Sequence, residues 1–231
     1  MNAPTPRTVR SFVRRAGRLT GAQQRAIDLL WPKWGVEFST EPMDLTALFG
    51  RKAPVTLEIG FGNGETLAKD AAAAPDKNFL GIEVHQPGVG RLLMQAEKLE
   101  LQNVRLMCHD AVEVLSRQLA RASIDQVNIF FPDPWPKKRH HKRRLIQDPF
   151  LVILHRVMSA GAGLHIATDW QAYAEHIYAT LESSAIFENT MPGSGIEAAL
   201  HSGSTLREET RFERRGRKLG HEVWDFLYRA V

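Results

Sequence analysis

The pattern of apolar and polar positions divides the chain into three parts. Residues 1 to about 20 carry two prolines, a glycine and scattered arginines without helical or strand periodicity, which predicts a flexible arm. The next segment begins at the capping residue Thr20, and its apolar spacing predicts a short helix that stops at Pro32. From Val55 onward, apolar runs alternate with amphipathic segments, which is typical of strands alternating with helices.

This alternation predicts an α/β fold with a doubly wound, mostly parallel sheet and helices on both of its faces. The predicted strands cover residues 55–60, 79–84, 104–108, 124–131, 164–167, 186–191 and 221–229. The last helix is predicted over residues 206–218, after a Gly/Ser-rich loop at 192–204. We therefore expect a basic arm with its short helix over residues 1–30, followed by one domain over residues 31–231.

Charge is concentrated in two places along the 231-residue chain, whose formal net charge is +4. Residues 1–27 hold six arginines and no acid, and residues 137–144 hold six Lys or Arg and two His. Two such clusters favour a polyanionic partner.

The single cysteine excludes an internal disulfide and indicates a reducing compartment, and the sequence shows neither a membrane span nor an apolar signal segment. We expect a cytoplasmic protein.

The second basic cluster follows a proline-rich turn. Three prolines within five residues, at 132, 134 and 136, hold Asp133 and Trp135 on a stiff turn after a predicted strand. A carboxylate beside a cationic run, at the strand end where ligands bind in such sheets, points to chemistry on a nucleic acid. The alternative, a proline loop followed by a solvated charged face, stays open, and Trp135 is either a base-stacking residue or a packing wedge.

The first predicted strand ends in a glycine-rich loop with Gly60, Gly62 and Gly64, which lets the backbone approach a ligand. The dinucleotide fingerprint requires another glycine at position 65, where this chain has glutamate. A negative charge at the start of the following helix also disfavours a pyrophosphate. Glu58, inside the strand, favours instead a cationic or amine-bearing ligand.

Acidic residues mark the ends of three further strands. Glu83 is placed to accept both hydroxyls of a ribose, and Asp110 to accept from an adenine amino group. Each of them alone is more often a strand-end cap. With Glu58 and Asp133 they form an acidic rim that suits S-adenosylmethionine, which has an ammonium, a sulfonium and no phosphate, better than NAD. Adjacent histidines in a basic run predict RNA contacts, and no metal site is expected.

Several motifs together resemble the bacterial tRNA (guanine-N7)-methyltransferases. They lie at residues 57–64 (Leu-Glu-Ile-Gly-Phe-Gly-Asn-Gly), 81–85, 132–144, 168–170 and 210–213. The resemblance extends from about Val55 to the C-terminus, and the proline-basic motif at 132–144 is highly specific. It implies a Rossmann-like class I methyltransferase domain over residues 31–231, with seven strands of which the C-terminal one is antiparallel.

The resemblance also implies roles for individual residues. It implies methyl-donor binding by Glu58, Gly60, Gly62, Gly64, Glu83, Asp110 and Asp133. It implies substrate contacts for Lys137, Asp169, Thr210, Arg211, Phe212 and Glu213, and RNA contacts for Arg139, His140, His141, Lys142, Arg143 and Arg144. Asp133 is the expected catalytic carboxylate, and the implied target is guanine 46 in the variable loop of tRNA.

Three other functions compete with this interpretation. The first is a methyltransferase for another base or a small molecule, and the basic run disfavours the small molecule. The second is a non-catalytic RNA-binding module, which predicts loss of the cofactor acids although all four are present. The third is a nicotinamide oxidoreductase, disfavoured by Glu65. The expected partner is tRNA, with no membrane and no obligate protein partner, and the protein is expected to be a monomer or a homodimer.

Overall fold

The computed structural model describes residues 11–12, 17–191, 193, 195–201, 210, 213–214, 220 and 222–231. Its strands are β1 (Val55–Ile59), β2 (Asn78–Ile82), β3 (Val104–Met107), β4 (Ile124–Phe130), β5 (Met158–Thr168), β6 (Phe187–Asn189), β7 (Leu200–His201) and β8 (Val223–Ala230). Its helices are α1 (Gly21–Trp34), α2 (Leu45–Phe49), α3 (Glu65–Ala73), α4 (Gln86–Lys98), α5 (Ala111–Glu113), α6 (Asp148–Val157) and α7 (Gln171–Glu182). A π-helical turn at Val114–Gln118 continues α5, and 3-10 helices lie at Lys138–Arg143 and Ile196–Ala199.

Within the described residues, the strands form one sheet in the order β3-β2-β1-β4-β5-β8-β6, and β7 pairs with β8. Neighbouring strands from β3 to β5 are parallel, whereas β8 is antiparallel to β5, β6 and β7. The chain builds outward from β1 to β3 and then returns to place β4 on the other side of β1. This reversal creates a crevice outside the carboxyl ends of β1 and β4, where ligands bind in open α/β sheets.

The predicted fold class is confirmed, including the antiparallel C-terminal strand. Two details of the sheet differ from the prediction. The two-residue β7 lies in the segment predicted as a Gly/Ser-rich loop, and β5 begins six residues before the predicted start at 164. After Met158, the extra part of β5 is Ser-Ala-Gly-Ala-Gly, whose small residues lack the apolar alternation that marks a strand. Most of the arm, and of the helix predicted over 206–218, lies outside the described residues.

The prediction that the first helix stops at Pro32 is wrong, because α1 continues through this proline to Trp34. A proline inside a helix removes one hydrogen bond and usually ends or kinks the helix. Here it falls in the last turn, and Trp34 is buried with its indole N–H donating to the carbonyl of Leu101 over 2.8 Å. Anchoring of this side chain offsets the lost bond. The domain boundary predicted at residue 30 thus falls inside α1.

The segment after α1 covers the outer edge of the sheet. Gly35 forms a parallel bridge with Leu106 of β3, and the backbone N–H of Val36 donates to the carbonyl of Leu106 over 2.8 Å. On the same side, the Gln23 side-chain amide donates to the carbonyl of Pro87 over 3.0 Å, which joins α1 to α4. The edge strand β3 is therefore paired with the chain on both of its sides.

Two apolar layers fix the orientation of the central strand. Val55, Leu57 and Ile59 of β1 belong to the buried cluster that contains α6 and α7, whereas α1, α3 and α4 contribute to the cluster on the opposite face. Because side chains alternate along a strand, Glu58 points toward the face covered by α3 and α4. Glu58 thus lies on this face of β1, two residues before the glycine-rich loop that joins β1 to α3.

Candidate active site

The glycine-rich loop after β1 depends on backbone conformations that favour glycine. Gly60, Gly62 and Gly64 have φ angles of 76°, 58° and 70°. Gly64 also packs closely, because a Cβ atom at this position would lie 2.6 Å from Cβ of Leu92 in α4. The loop therefore brings bare backbone to the carboxyl edge of the sheet, as a bound ligand requires.

Glu83 follows β2 and is held by this loop. Its Oε2 accepts from the backbone N–H of Gly62 over 2.9 Å, and its Oε1 accepts from the N–H groups of Val84 over 2.6 Å and His85 over 2.9 Å. The side chain is buried. A carboxylate has about four acceptor positions, so the three backbone donors fix its direction and leave it with little rotational freedom. About one acceptor position remains for a ribose hydroxyl, fewer than the two that the sequence-based expectation requires.

Two further predicted cofactor acids, Glu58 and Asp110, lie on either side of Glu83. Glu58 is only 3% exposed, and its backbone pairs with Gly81 of β2 and Asn128 of β4 at the centre of the sheet. Asp110 begins α5, where its Oδ1 accepts from the backbone N–H of Val112 over 2.9 Å. The sheet order thus brings the predicted acids of β1, β2 and β3 to one edge, as expected for adjacent parallel strands.

Two aromatic rings beside Asp110 were not found by sequence reasoning. The imidazole of His109 stacks on the ring of Phe38, with centroids 3.9 Å apart and planes inclined by 6°. Its Nε2 lies 2.7 Å from Oε2 of Glu113. Phe38 and His109 are 71 residues apart in number, so no local pattern could have indicated this contact. The stack supports the strand end from which Asp110 projects.

The turn after β4 holds Asp133 between two residues with unusual backbone conformations. Phe131 and Trp135 have φ angles of 53° and 45°, although neither is a glycine. Such conformations cost free energy and cluster at functional sites. The backbone N–H of Phe131 donates to the carbonyl of Ala167 in β5 over 2.8 Å, and Asp133 is exposed at the top of the turn. The sheet thus presents this carboxylate to solvent on a constrained turn.

Trp135 is engaged within the protein. Its indole N–H donates to the carbonyl of Ser11 in the N-terminal segment over 3.0 Å. The Arg143 guanidinium lies 5.0 Å from the ring centroid, and the ring of His140 meets it edge-on at 5.7 Å. Of the two roles left open for this residue, the contacts favour a packing role, in which it joins the arm to the proline turn.

The basic run forms a short 3-10 helix at Lys138–Arg143. Lys137, Arg139 and Lys142 are exposed, and His140, His141 and Arg143 are partly exposed. Burial, followed by the charge of the neighbouring cations, lowers the pKa of His140 below the ordinary histidine value. Arg144 differs from the rest of the run, because it is only 4% exposed and its guanidinium lies inside the protein.

The predicted substrate residues are only partly described. Asp169 is partly exposed at the carboxyl end of β5, next to the exposed Trp170. Glu213 is buried, and its backbone N–H donates to the Thr210 hydroxyl over 3.1 Å. Arg214 lies with Nη2 3.4 Å from Oε2 of Glu65, which joins this segment to the start of α3. Arg211 and Phe212 lie outside the described residues.

Among the described residues, no group of three or more His, Cys, Asp or Glu side chains is arranged to hold a metal ion. In the same part of the chain, no helix is both long and apolar enough to cross a membrane. The candidate site consists of four acids, one within β1 and one after each of β2, β3 and β4, with a basic surface beside the last of them.

Comparison with solved structures indicates the fold. The 16S rRNA methyltransferase KamB superposes with a TM-score of 0.56 at 14% identity, covering 83% of this chain and 95% of that one. The 16S rRNA (adenine(1408)-N(1))-methyltransferase from Catenulisporales acidiphilia gives a TM-score of 0.51 at 16% identity, covering 82% and 93%. At these identities the likeness shows a shared class I methyltransferase fold.

Sequence comparison identifies the family. A family described as "Putative methyltransferase" matches residues 52–226. The tRNA (guanine-N(7)-)-methyltransferase of Sodalis glossinidius is 52% identical over 96% of this chain and 91% of its own length. The protein of the same name from Alkalilimnicola ehrlichii is 53% identical over 96% and 93%. The resemblance inferred from the motifs is confirmed, and the chain belongs to the tRNA (guanine-N(7)-)-methyltransferase family.

Proposed function

We propose that this protein transfers a methyl group from S-adenosylmethionine to N7 of guanine 46 in the variable loop of tRNA. The observation that carries the proposal is the position of Asp133. It lies on a constrained turn, exposed, between the acidic edge formed by β1 to β3 and the basic helix at Lys138–Arg143. We therefore assign this one carboxylate to contacts with both the cationic methyl donor and the RNA base.

The residues at the acidic edge fit S-adenosylmethionine. We assign the loop backbone at Gly60 and Gly62 to the amino acid portion of the donor, and the buried Glu58 to its ammonium as a counter-charge. We assign Glu83, whose carboxylate accepts from the Gly62 N–H, to the ribose, and Asp110 to the adenine amino group. When bound, S-adenosylmethionine supplies a sulfonium methyl whose C–S bond breaks, with the electron pair kept by sulfur, as the N7–C bond forms.

Guanine N7 is an unprotonated acceptor, so its lone pair attacks directly and no general base has to generate the nucleophile. Positioning of N7 in line with the sulfonium methyl then supplies most of the rate. Methylation places a positive charge on the base and makes N1–H and N2–H stronger donors. Carboxylates directed at this edge bind the transition state more strongly than the ground state. We assign this role to Asp133, assisted by Asp169 or Glu213.

The exposed cations hold the tRNA backbone. Lys137, Arg139, Lys142 and Arg143, with His140 and His141, project from the proline turn and the 3-10 helix beside Asp133. Contacts of this kind provide affinity with little sequence information and are strongly salt-dependent. Selection of one guanine then depends on tRNA shape and on an extruded base. We place this reaction in the cytoplasm, without a metal ion, and with the protein as a monomer or a homodimer.

The experiment is methyl transfer from labelled S-adenosylmethionine to unmodified tRNA transcripts, followed by borohydride and aniline cleavage at N7-methylguanosine. We expect a cut at guanine 46. A matched transcript with 7-deazaguanine at this position lacks the accepting nitrogen and is expected to take up no label there. Incorporation of label without the cut would show that the enzyme methylates another atom or another nucleotide. Cofactor binding without label would support the non-catalytic RNA-binding module instead.

A further inference from the structure

Arg144 is the last cation of the basic run and the one whose side chain points inward. It is only 4% exposed, whereas Lys142 is exposed and Arg143 is partly exposed. A phosphate-binding arginine has to present its guanidinium to solvent. The burial of Arg144 therefore calls for a different role from that of its neighbours in the run.

The guanidinium of Arg144 joins two segments of the candidate active site. Its Nε donates to the carbonyl of Pro134 over 3.0 Å, and its Nη1 donates to the carbonyl of Ala172 over 3.2 Å. Pro134 directly follows Asp133 on the turn after β4. Ala172 lies in the first turn of α7, three residues after Asp169. The two carboxylate-bearing segments are thus connected through one side chain.

The chemistry of arginine suits this connection. Its planar guanidinium presents five N–H donors in a fixed fork, so two bonds set the separation and the relative direction of two carbonyls. The buried charge is compensated by these carbonyls and by the ring of Tyr173, whose centroid lies 4.9 Å from the guanidinium carbon. A lysine has a single nitrogen at the end of a flexible chain and cannot reproduce the fork.

The surrounding contacts hold the backbone of Arg144 in place. The Gln147 side-chain amide donates to the carbonyl of Arg144 over 2.6 Å. The backbone N–H of Ile146 donates to the Tyr173 hydroxyl over 3.2 Å, and the Ile146 carbonyl lies 2.8 Å from Nε2 of His176. Both ring residues belong to α7. The segment that carries Arg144 is thus anchored to the helix that begins beside Asp169.

We propose that Arg144 is a positioning residue that fixes Asp133 relative to Asp169, and that it makes no contact with the tRNA backbone. The inference rests on the proposed function, since it assigns these two carboxylates to the guanine. Methyl transfer requires in-line alignment, and a displacement of about 1 Å costs on the order of 100-fold in rate. Loss of the fork is therefore expected to lower the rate of the chemical step while leaving tRNA affinity unchanged.

The test compares Arg144→Lys with Arg139→Gln, a change in an exposed cation of the same run. For Arg144→Lys, we expect kcat at saturating tRNA to fall about 10-fold to 100-fold. The Kd for tRNA should stay within about twofold of that of the enzyme without the substitution, and log Kd should depend on log salt concentration in the same way. For Arg139→Gln, we expect weaker tRNA binding and a salt slope shallower by about one, with the rate recovered at saturating tRNA. For Arg144→Lys, weaker tRNA binding together with an unchanged kcat at saturating tRNA would overturn the proposal.

A measurement on the enzyme with its natural sequence keeps the test independent of how Arg144→Lys folds. Its arginines are labelled with phenylglyoxal, with and without tRNA, and the labelled positions are identified by mass spectrometry. We expect Arg139 to be labelled in the free protein and protected by tRNA, and Arg144 to stay unlabelled in both samples. Labelling of Arg144 that tRNA prevents would contradict the inference. If the enzyme with its natural sequence methylates no tRNA, the proposed function is refuted instead, whatever the labelling of Arg144.

Discussion

The backbone N–H of Gly62 donates a 2.9 Å hydrogen bond to Oε2 of Glu83, so that the glycine-rich loop after β1 and the acid after β2 form one unit. The loop thereby orients the carboxylate predicted to bind the ribose, and the carboxylate in turn holds the loop open.

The first prediction concerns this pair. Glu83→Gln keeps the size of the side chain but replaces one acceptor oxygen with a donor that faces backbone N–H groups. Hydrogen bonds to a charged group contribute about 1.5–3 kcal/mol each, so affinity for S-adenosylhomocysteine should fall about 10-fold to 100-fold by titration calorimetry. Glu97→Gln, an exposed change on α4, is the matched control. Unchanged affinity in Glu83→Gln would refute the ribose role.

The second prediction concerns catalysis by Asp133. Asp133→Asn removes the negative charge that stabilises the methylated base, and we expect kcat to fall about 100-fold or more. Because Asp133 is exposed, thermal unfolding should be little changed. The exposed Asp76→Asn serves as the control. Single-turnover methylation isolates the chemical step, and near-normal turnover in Asp133→Asn would eliminate its catalytic role.

The third prediction concerns the anchoring of the arm by Trp135. Trp135→Phe keeps an aromatic ring but loses the N–H that donates to the Ser11 carbonyl. The sequence has arginines at 14, 15 and 18, so limited trypsin digestion should remove the N-terminal segment faster from this variant. Trp170→Phe is the control, since Trp170 is exposed on α7's N-terminal side. Equal cleavage rates in the two variants would argue against the anchor.

The fourth prediction concerns pH. Burial, opposed by the hydrogen bond to Ile146, lowers the pKa of His176 below the ordinary histidine value. A group with a lowered folded-state pKa stabilises the protein above its unfolded-state pKa, and this stabilisation is lost as the pH falls through the histidine range. The free energy of unfolding should therefore decrease on going from pH 7.5 to pH 5 more steeply in the unmodified protein than in His176→Gln. Urea unfolding at the two pH values measures the free energy of unfolding of each protein. An equal decrease in the two proteins would contradict the prediction.

Much of the site could be predicted because it follows from strand ends. Once the apolar runs are assigned to parallel strands, Glu83 and Asp110 must come to the same edge as the glycine-rich loop, and the prolines fix the turn at Asp133. The helix through Pro32 could not be predicted, because the burial of Trp34 that supports it is a tertiary contact.

Arg144 shows the same limit within the site itself. Because charge runs are usually solvated, the local sequence predicts that the last arginine of a basic run is as exposed as its neighbours. The inward direction of Arg144 depends on the carbonyls of Pro134 and Ala172 and on the ring of Tyr173, of which two come from a different part of the chain. Only the packing of α7 against the proline turn brings them together.

The pairing of Gly35 and Val36 with β3 has a consequence for how this protein can be shortened. An uncovered edge strand exposes unpaired backbone groups to which another chain can add, which promotes aggregation. A fragment that begins near residue 50 would retain every predicted cofactor residue but leave Leu106 and its neighbours uncovered along the sheet edge. Such a fragment is expected to self-associate, so the shortest well-behaved enzyme has to begin before α1.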